Sequence, residues 1–175
     1  MIDGSINLGE AHMKIAVYSG SFDPVTLGHL NVIQRGSRIV EQLIVGIGIN
    51  SEKNGLFDPD ERLELVQRVT QHLDNVEVKT FEGLAVNFVQ QCGATVMLRG
   101  VRPMTDIAGE FTMMMANRRL NEDLETVFLM ADGEFSHVSS SLIKQLTPLA
   151  TDEQLAQFVP ASIIEDLKER VKSRR

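Results

Sequence analysis

Short runs of branched apolar residues alternate with amphipathic stretches almost from one end of this chain to the other. That alternation constrains the fold more than any other feature. Strands separated by helical crossovers pair in parallel, and right-handed crossovers then build a sheet covered on both faces. The apolar runs are residues 14–18 (KIAVY), 43–49 (LIVGIGI), 76–81, 94–98 and 125–130 (ETVFLM). The second has no polar residue, as suits a strand buried on both faces. Helices are expected over 28–40, with Leu30, Val32, Ile33 and Ile39 as apolar positions, and over 58–73, 84–92 and 106–120. Asp58, Pro59 and Glu61 form a helix-start signature, and Gly93 a stop. Ser139 caps a helix reaching about residue 146, and two short helical patterns broken at Pro160 follow from Asp152. The expected fold is α/β, a doubly wound five-stranded parallel sheet with C-terminal helices packed at its side.

A chain of 175 residues suits one domain with a sizeable core. The regular pattern places that domain at 13–175, and the small, polar residues 1–12 read as a flexible extension. Seventeen Lys and Arg against 24 Asp and Glu leave a net charge of −7. This argues against a nucleic-acid partner, which needs phosphates neutralised, but leaves room for a small anion in a local basic pocket. No apolar run approaches the ~18 residues of a membrane span. A single cysteine, Cys92, and no secretory leader point to a reducing, cytoplasmic setting.

Ligands of such folds bind beyond the carboxyl ends of the strands, where strand order reverses. After the first run comes GSFDPVTLGH, 20–29. Gly20 permits a close backbone approach, Asp23-Pro24 a rigid turn, and Thr26 stands where a helix N-cap belongs. A helix start offers free N–H groups and partial positive charge, which attract phosphate. His29, in that first turn, is the foremost catalytic candidate, although the same letters would describe a capped helix with an incidental histidine. The fourth run leads into Arg99-Gly100-Val101-Arg102, two arginines able to clamp an anion or to form a solvated basic turn. Lys53 follows the second run. Ser139, Ser140 and Ser141 follow the fifth, more hydroxyls than a cap needs. On the helix over 106–120, Asp106, Glu110, Met113 and Asn117 form one stripe and Ile107, Phe111 and Met114 an adjacent apolar one. Glu110 therefore faces either a ligand or solvent.

Other chemistries lack their residues. There is no P-loop, no complete dinucleotide fingerprint around Gly46-Ile47-Gly48 and no G-x-S-x-G elbow. His12, His72 and His137 have no metal-ligand spacing, and Cys92 has no histidine nearby in sequence. Met113, Met114 and Met115 fit core or subunit contact.

Taken together, the motifs resemble the phosphopantetheine adenylyltransferase family, within the nucleotidyltransferases that carry the [HT]-x-G-H signature. The selective pieces are LRGVR at 98–102, TDIAGEF and MANRRL within 105–120, ETVFLM, and SHVSSSLIKQL at 136–146. The resemblance implies a Rossmann-like nucleotidyltransferase fold. The implied reaction moves adenylate from ATP to 4′-phosphopantetheine, yielding dephospho-coenzyme A and pyrophosphate. It also implies magnesium carried with ATP, a homo-hexamer, and coenzyme A as feedback inhibitor. By the same resemblance His29 stabilises the transition state, and Ser21, Lys53, Ala85 and Arg99 bind the acceptor. Ser21 and Phe22, Gly100, Val101 and Arg102, Glu110, and Phe135, Ser136, His137, Val138, Ser139, Ser140 and Ser141 match the ATP-contacting segments. Ser21 replaces a usual threonine and keeps the hydroxyl. Gly109 stands where an aromatic is common, and Asn54 where a second basic residue is frequent. Nicotinate mononucleotide adenylyltransferase, which shares GSFDPV, is the nearest rival, and a non-catalytic nucleotide-binding regulator the rival from another class. LRGVR and SHVSSSLIKQL argue against the first, and His29 beside a full set of anion residues against the second.

Overall fold

A computed structural model describes residues 15–50, 55–101 and 107–174. The strands are β1 (Ile15–Gly20), β2 (Gln42–Ile49), β3 (Val76–Glu82), β4 (Val96–Val101) and β5 (Glu125–Met130). All pair in parallel in the order β3-β2-β1-β4-β5. Helices α1 (Leu27–Gly36), α2 (Pro59–Thr70), α3 (Ala85–Gln91) and α4 (Ile107–Leu120) are the crossovers. After β5 come α5 (Ser140–Leu146), α6 (Asp152–Leu155) and α7 (Ile164–Ser173). The chain winds outward first from one side of β1 and then from the other, so the strand order reverses between β1 and β4. A crevice opens at the carboxyl end of such a switch point.

Alternation along β1 separates two cores. Ala16 and Tyr18 face a large cluster that includes Val32 and Ile33 of α1, Leu65 and Val66 of α2, Ile143 of α5 and Leu167 of α7. Val17 faces a smaller one with Val86, Phe88, Val89 and Met97. The C-terminal helices therefore join the larger core, with Leu155, Ile163 and Leu167 fully buried. An Arg68–Asp166 pair at 2.7 Å and a Glu61–Arg170 pair tie α7 to α2.

The start of α2 follows its letters closely: Asp58 accepts from the Glu61 N–H, and Glu61 accepts in return from the Asp58 N–H. Other boundaries differ. Helix α1 ends at Gly36, capped by Ser37, and Ile39 is exposed instead of lying on its apolar face. Strand β4 begins at Val96 and continues to Val101, because Arg99, Gly100 and Val101 pair with Phe128, Leu129 and Met130 of β5. Arg99 and Gly100 are thus strand residues, not a loop after the strand. Side-chain space explains the glycine: a Cβ at Gly100 would lie 2.9 Å from Val32 Cγ2 and 3.0 Å from the Tyr18 hydroxyl.

Helix α4 departs from the expected burial. Of the apolar stripe, Ile107 and Phe111 are 53% and 55% exposed and Met114 is half-buried, while in the other stripe Glu110 is half-buried, Asn117 buried and Met113 exposed. The physical reason is local chemistry: Glu110 is drawn inward by Arg99, and the Asn117 amide donates to Met97 Sδ at 3.7 Å. Residues 1–12, Lys53, Asn54, Arg102 and Asp106 lie outside the described residues.

Candidate active site

The crevice is built from the ends of β1, β4 and β5. After β1, Phe22 adopts a left-handed backbone (φ 47°) and the Asp23–Pro24 peptide is cis. Thr26 then caps α1 in a reciprocal arrangement. The Thr26 hydroxyl accepts from the His29 N–H at 3.3 Å, and the Thr26 N–H donates to His29 Nδ1 at 3.1 Å. A backbone N–H can only donate, so Nδ1 is an acceptor and the neutral ring carries its hydrogen on Nε2. The cap that starts the helix therefore also selects the tautomer of His29. Below it, the Phe22 ring meets His29 edge-on at 5.0 Å and Tyr18 at 5.3 Å.

A cavity of about 320 Å³ opens beside His29. Ser21, Thr26, Gly28, Arg99, Gly100, Val101 and Glu110 line one part, and Phe135, Val138, Ser139, Ser140 and Ser141 the other. A groove of about 480 Å³ lies on the β2–β3 side, bordered by Gly48, Ile49, Asn50, Phe81, Gly83 and Ala85. Ser21 and Arg99 border both. Two concavities that share a hydroxyl and a guanidinium form a layout suited to two anionic reactants meeting at one point.

Arg99 is held in place. Its Nε and Nη2 donate to Glu110 at 2.7 and 2.6 Å, and Nη1 donates to the Ser19 carbonyl at 2.7 Å. A two-point arginine–carboxylate contact fixes orientation as well as charge. Tyr18, buried beneath this pair, has its hydroxyl pushed well above the ordinary phenol range, first by burial, with Arg99 opposing and Glu110 adding to the effect.

The sequence overstates how open the helix starts are. Leu27 N–H donates to the Phe158 carbonyl at 2.8 Å, so together with His29 two donors of the first turn of α1 are committed inside the protein. At α5, Ser139 accepts from the Leu142 N–H, and Ser140 Oγ donates to the Pro24 carbonyl at 2.8 Å. These two serines are structural as well as cavity-lining; Ser141 is exposed. Of the other expected residues, Ala85 borders the groove. Phe22 is 1% exposed and supports His29 from below instead of lining the cavity. Ser136 turns to the Gly133 carbonyl and His137 lies edge-on to Phe158, so neither side chain lines the cavity.

Sequence reasoning missed several organising residues. Arg62, 7% exposed, donates to the carbonyls of Ser21, Gly48 and Asp58, joining the ends of β1 and β2 to the start of α2. Asp132 accepts from Asn31 Nδ2 at 2.6 Å and Arg35 Nη1 at 3.0 Å, fastening the segment after β5 to α1. Asp23 accepts from the Leu56 and Phe57 N–H groups. Only Asp23, inside the first motif, carried any signal, and it read as part of a turn.

Residues 17–146 match the cytidylyltransferase-like family. At closer range, 159 residues are 63% identical to the phosphopantetheine adenylyltransferase of Rhodopirellula baltica, covering 90% of this chain and 89% of that one. The chain belongs to the phosphopantetheine adenylyltransferase family. The enzyme of that name from Clostridium botulinum is 44% identical over 91% of this chain and 99% of its own. Similar solved structures show the same fold at low identity. The nicotinic acid mononucleotide adenylyltransferase of Plasmodium falciparum gives a TM-score of 0.66 at 11% identity, covering 93% of this chain and 96% of its own. A putative nicotinate-nucleotide adenylyltransferase from Vibrio parahaemolyticus gives 0.64 at 19%, covering 90% and 94%. Sequence similarity thus separates phosphopantetheine adenylyltransferases from a fold that they share with nicotinate enzymes.

Proposed function

We infer that this enzyme transfers adenylate from ATP to 4′-phosphopantetheine, releasing pyrophosphate and forming dephospho-coenzyme A. The observation that carries this reading is the pair of concavities joined at Ser21 and Arg99 beside His29, in a chain of this family. The cavity edged by Ser139, Ser140 and Ser141 takes ATP. The groove edged by Ala85 and Phe81 takes the pantetheine arm, and Arg99 and Ser21 receive the acceptor phosphate. Lys53, Arg102 and the segments matched by resemblance remain assigned on sequence alone.

An acceptor phosphate is already a nucleophile, so the reaction needs no general base. An acceptor oxygen bonds to the α-phosphorus of ATP, the α–β bridge bond breaks, and the electron pair leaves with pyrophosphate. The enzyme must hold two anions in line and offset their repulsion. Arg99, oriented by Glu110 and Ser19, meets the first demand. His29, with Nδ1 committed to Thr26, presents an Nε2 donor that stabilises charge developing on the α-phosphate.

Magnesium supplies charge neutralisation on the ATP phosphates. Among the described residues no group of three or more His, Cys, Asp or Glu could hold an ion. Magnesium would therefore be held chiefly by the phosphates of ATP, which would carry it into the site. We also propose a homo-hexamer, cytoplasmic location and restraint by coenzyme A. Exposed Ile107, Phe111, Met113 and Met115 on α4 support association of like subunits, and among the described residues no helix is long and apolar enough to cross a membrane.

Nicotinate mononucleotide is the competing acceptor. Phe81 does border the groove, but it is stacked on Phe88 at 4.5 Å, which leaves one face for a ligand. Among the described groove residues Arg99 is the only cation, and it is assigned to the acceptor phosphate. A pyrophosphate-release assay with ATP and both acceptors tests the assignment: turnover is expected with phosphopantetheine and not with nicotinate mononucleotide. The opposite outcome overturns it.

A further inference from the structure

Asp23 lines neither concavity, yet three segments converge on its carboxylate. Oδ2 accepts from the Leu56 N–H at 2.7 Å and from Lys144 Nζ at 2.5 Å, and Oδ1 accepts from the Phe57 N–H at 2.9 Å. Its side chain is 8% exposed, whereas that of Lys144 is 37% exposed. Leu56 and Phe57 close the connection between β2 and α2, whose first residue, Asn50, borders the acceptor groove beside Ile49 at the end of β2. Lys144 lies on α5, one turn after Ser140, and Ser140 Oγ donates to the Pro24 carbonyl from the same face. Helix α5 therefore grips the Asp23–Pro24 turn at two points.

We propose that Asp23 is a positioning residue that joins the two halves of the site: it seats residues 55–57, which lead into α2 on the acceptor side, and Lys144 straps it to the serine helix on the ATP side. The proposal rests on the acceptor assignment above for its kinetic consequence, though not for its structural one. Three features support it. First, backbone N–H groups of two consecutive residues aimed at one carboxylate form a compact anion cradle, and hydrogen bonds to a charged acceptor are the strong kind. Second, the cradle leaves no space for a side chain at its entrance: a Cβ on Gly55 would lie 2.9 Å from the Phe57 carbonyl and 3.1 Å from Asp23 Oδ2. Third, burial raises the carboxyl pKa, but Lys144 and the two N–H groups outweigh it, leaving Asp23 below the usual carboxylate range and ionised.

A carboxylate is required because every partner is a donor. Asparagine keeps the shape but must turn an NH2 toward Lys144 or toward a backbone N–H, and so loses at least one contact. A neutral side chain at 144 keeps the cradle and removes the strap. The expected graded series is parent, Lys144→Met, then Asp23→Asn.

The test uses the full-length enzyme and four variants: Asp23→Asn, Lys144→Met, Lys144→Arg and Gly55→Ala. Amide hydrogen exchange over residues 55–57 is read first, because local opening is reported there whatever the acceptor. Faster exchange is expected in Asp23→Asn, Gly55→Ala and Lys144→Met, with Lys144→Arg close to the parent. Kinetics follow: the KM for phosphopantetheine is expected to rise roughly tenfold in Asp23→Asn, with a smaller rise in the KM for ATP, because Ser140 still holds α5 to the Pro24 carbonyl when the Lys144 strap is lost. Unchanged exchange in Asp23→Asn and Lys144→Met overturns the proposal, as does an equal rise of both KM values. If the parent fails to use phosphopantetheine while the exchange series appears as ordered, the brace stands and the acceptor assignment falls.

Discussion

Helices α1 and α4 flank the same switch point and read as ordinary amphipathic helices, yet they use their faces in opposite ways. On α1 the apolar residues Val32 and Ile33 are buried against the sheet, and its polar end carries His29 to the cavity. On α4 the residues turned inward are Glu110, Met114 and Asn117, and Ile107, Phe111, Met113 and Met115 face outward. One helix spends its apolar face on its own core. The other spends its polar face on Arg99 and Met97 and leaves Ile107, Phe111, Met113 and Met115 exposed, the surface proposed above for association of like subunits. Hydrophobic patterning thus reports which face avoids water, not which partner covers it.

The largest expected effect sharpens the α1 half of this contrast. His29→Ala should lower turnover ~10²–10³-fold, the usual loss for one preorganised donor. The same change removes one side of the reciprocal cap, which costs about 1 kcal/mol. Pyrophosphate release and thermal melting, measured on one preparation, separate the two; an unchanged kcat would remove His29 from the chemistry.

Substitutions on apolar positions should then split the helices. Ile33→Ala on α1 opens a cavity in the fully buried core and should cost about 2–5 kcal/mol in chemical denaturation. Phe111→Asp on α4 should leave the circular dichroism of the subunit intact and reduce the mass seen by light scattering. A parent mass of a single subunit across micromolar concentrations would break the comparison, since α4 would then have no partner to explain its face.

A smaller effect lies on the polar face of α4. Glu110→Gln removes the charge that orients Arg99 and should raise the phosphopantetheine KM severalfold, with less change in melting temperature than Ile33→Ala. Equal effects on both substrates would show that Glu110 serves ATP directly instead of acting through Arg99.

The smallest is a pH effect. The native pKa of Asp23 is depressed, so its contribution to stability is complete above the ordinary aspartate value of ~3.9 and fades as pH falls through the lower native value. Tyr18 is raised, so its contribution is complete below ~10 and fades as pH rises toward the higher native value. The part of the urea midpoint that these two groups set should therefore be flat between those limits and fall outside them. Lys144→Met should shift the acid-side loss to higher pH; an acid limb identical to that of the parent would show that Lys144 does not hold the carboxylate charged.

Much of this was legible without coordinates. Periodicity and caps set five parallel strands, the crossovers, the Asp58 and Ser139 helix starts, and the placing of His29 in the first turn of α1, because those features depend on residues close together in the chain. Motif spacing was enough for the family. Local letters failed where distant segments meet. Strand β4 extends through Arg99 and Gly100 because β5 pairs with it, α1 stops before Ile39, and Phe22 supports the cavity from beneath without lining it. Arg62, Asp132 and Lys144 could not be singled out at all, since a charged residue shows its role only through the carbonyls, amides or carboxylates folded against it. The sequence by itself determined which helices and strands form and which residue types can handle phosphate, for these follow from short-range sterics and side-chain chemistry. Only the tertiary structure decided which face of α4 is covered, which nitrogen of His29 is committed, and which carboxylate ties the two halves of the site together, because each depends on contacts between segments remote in the chain.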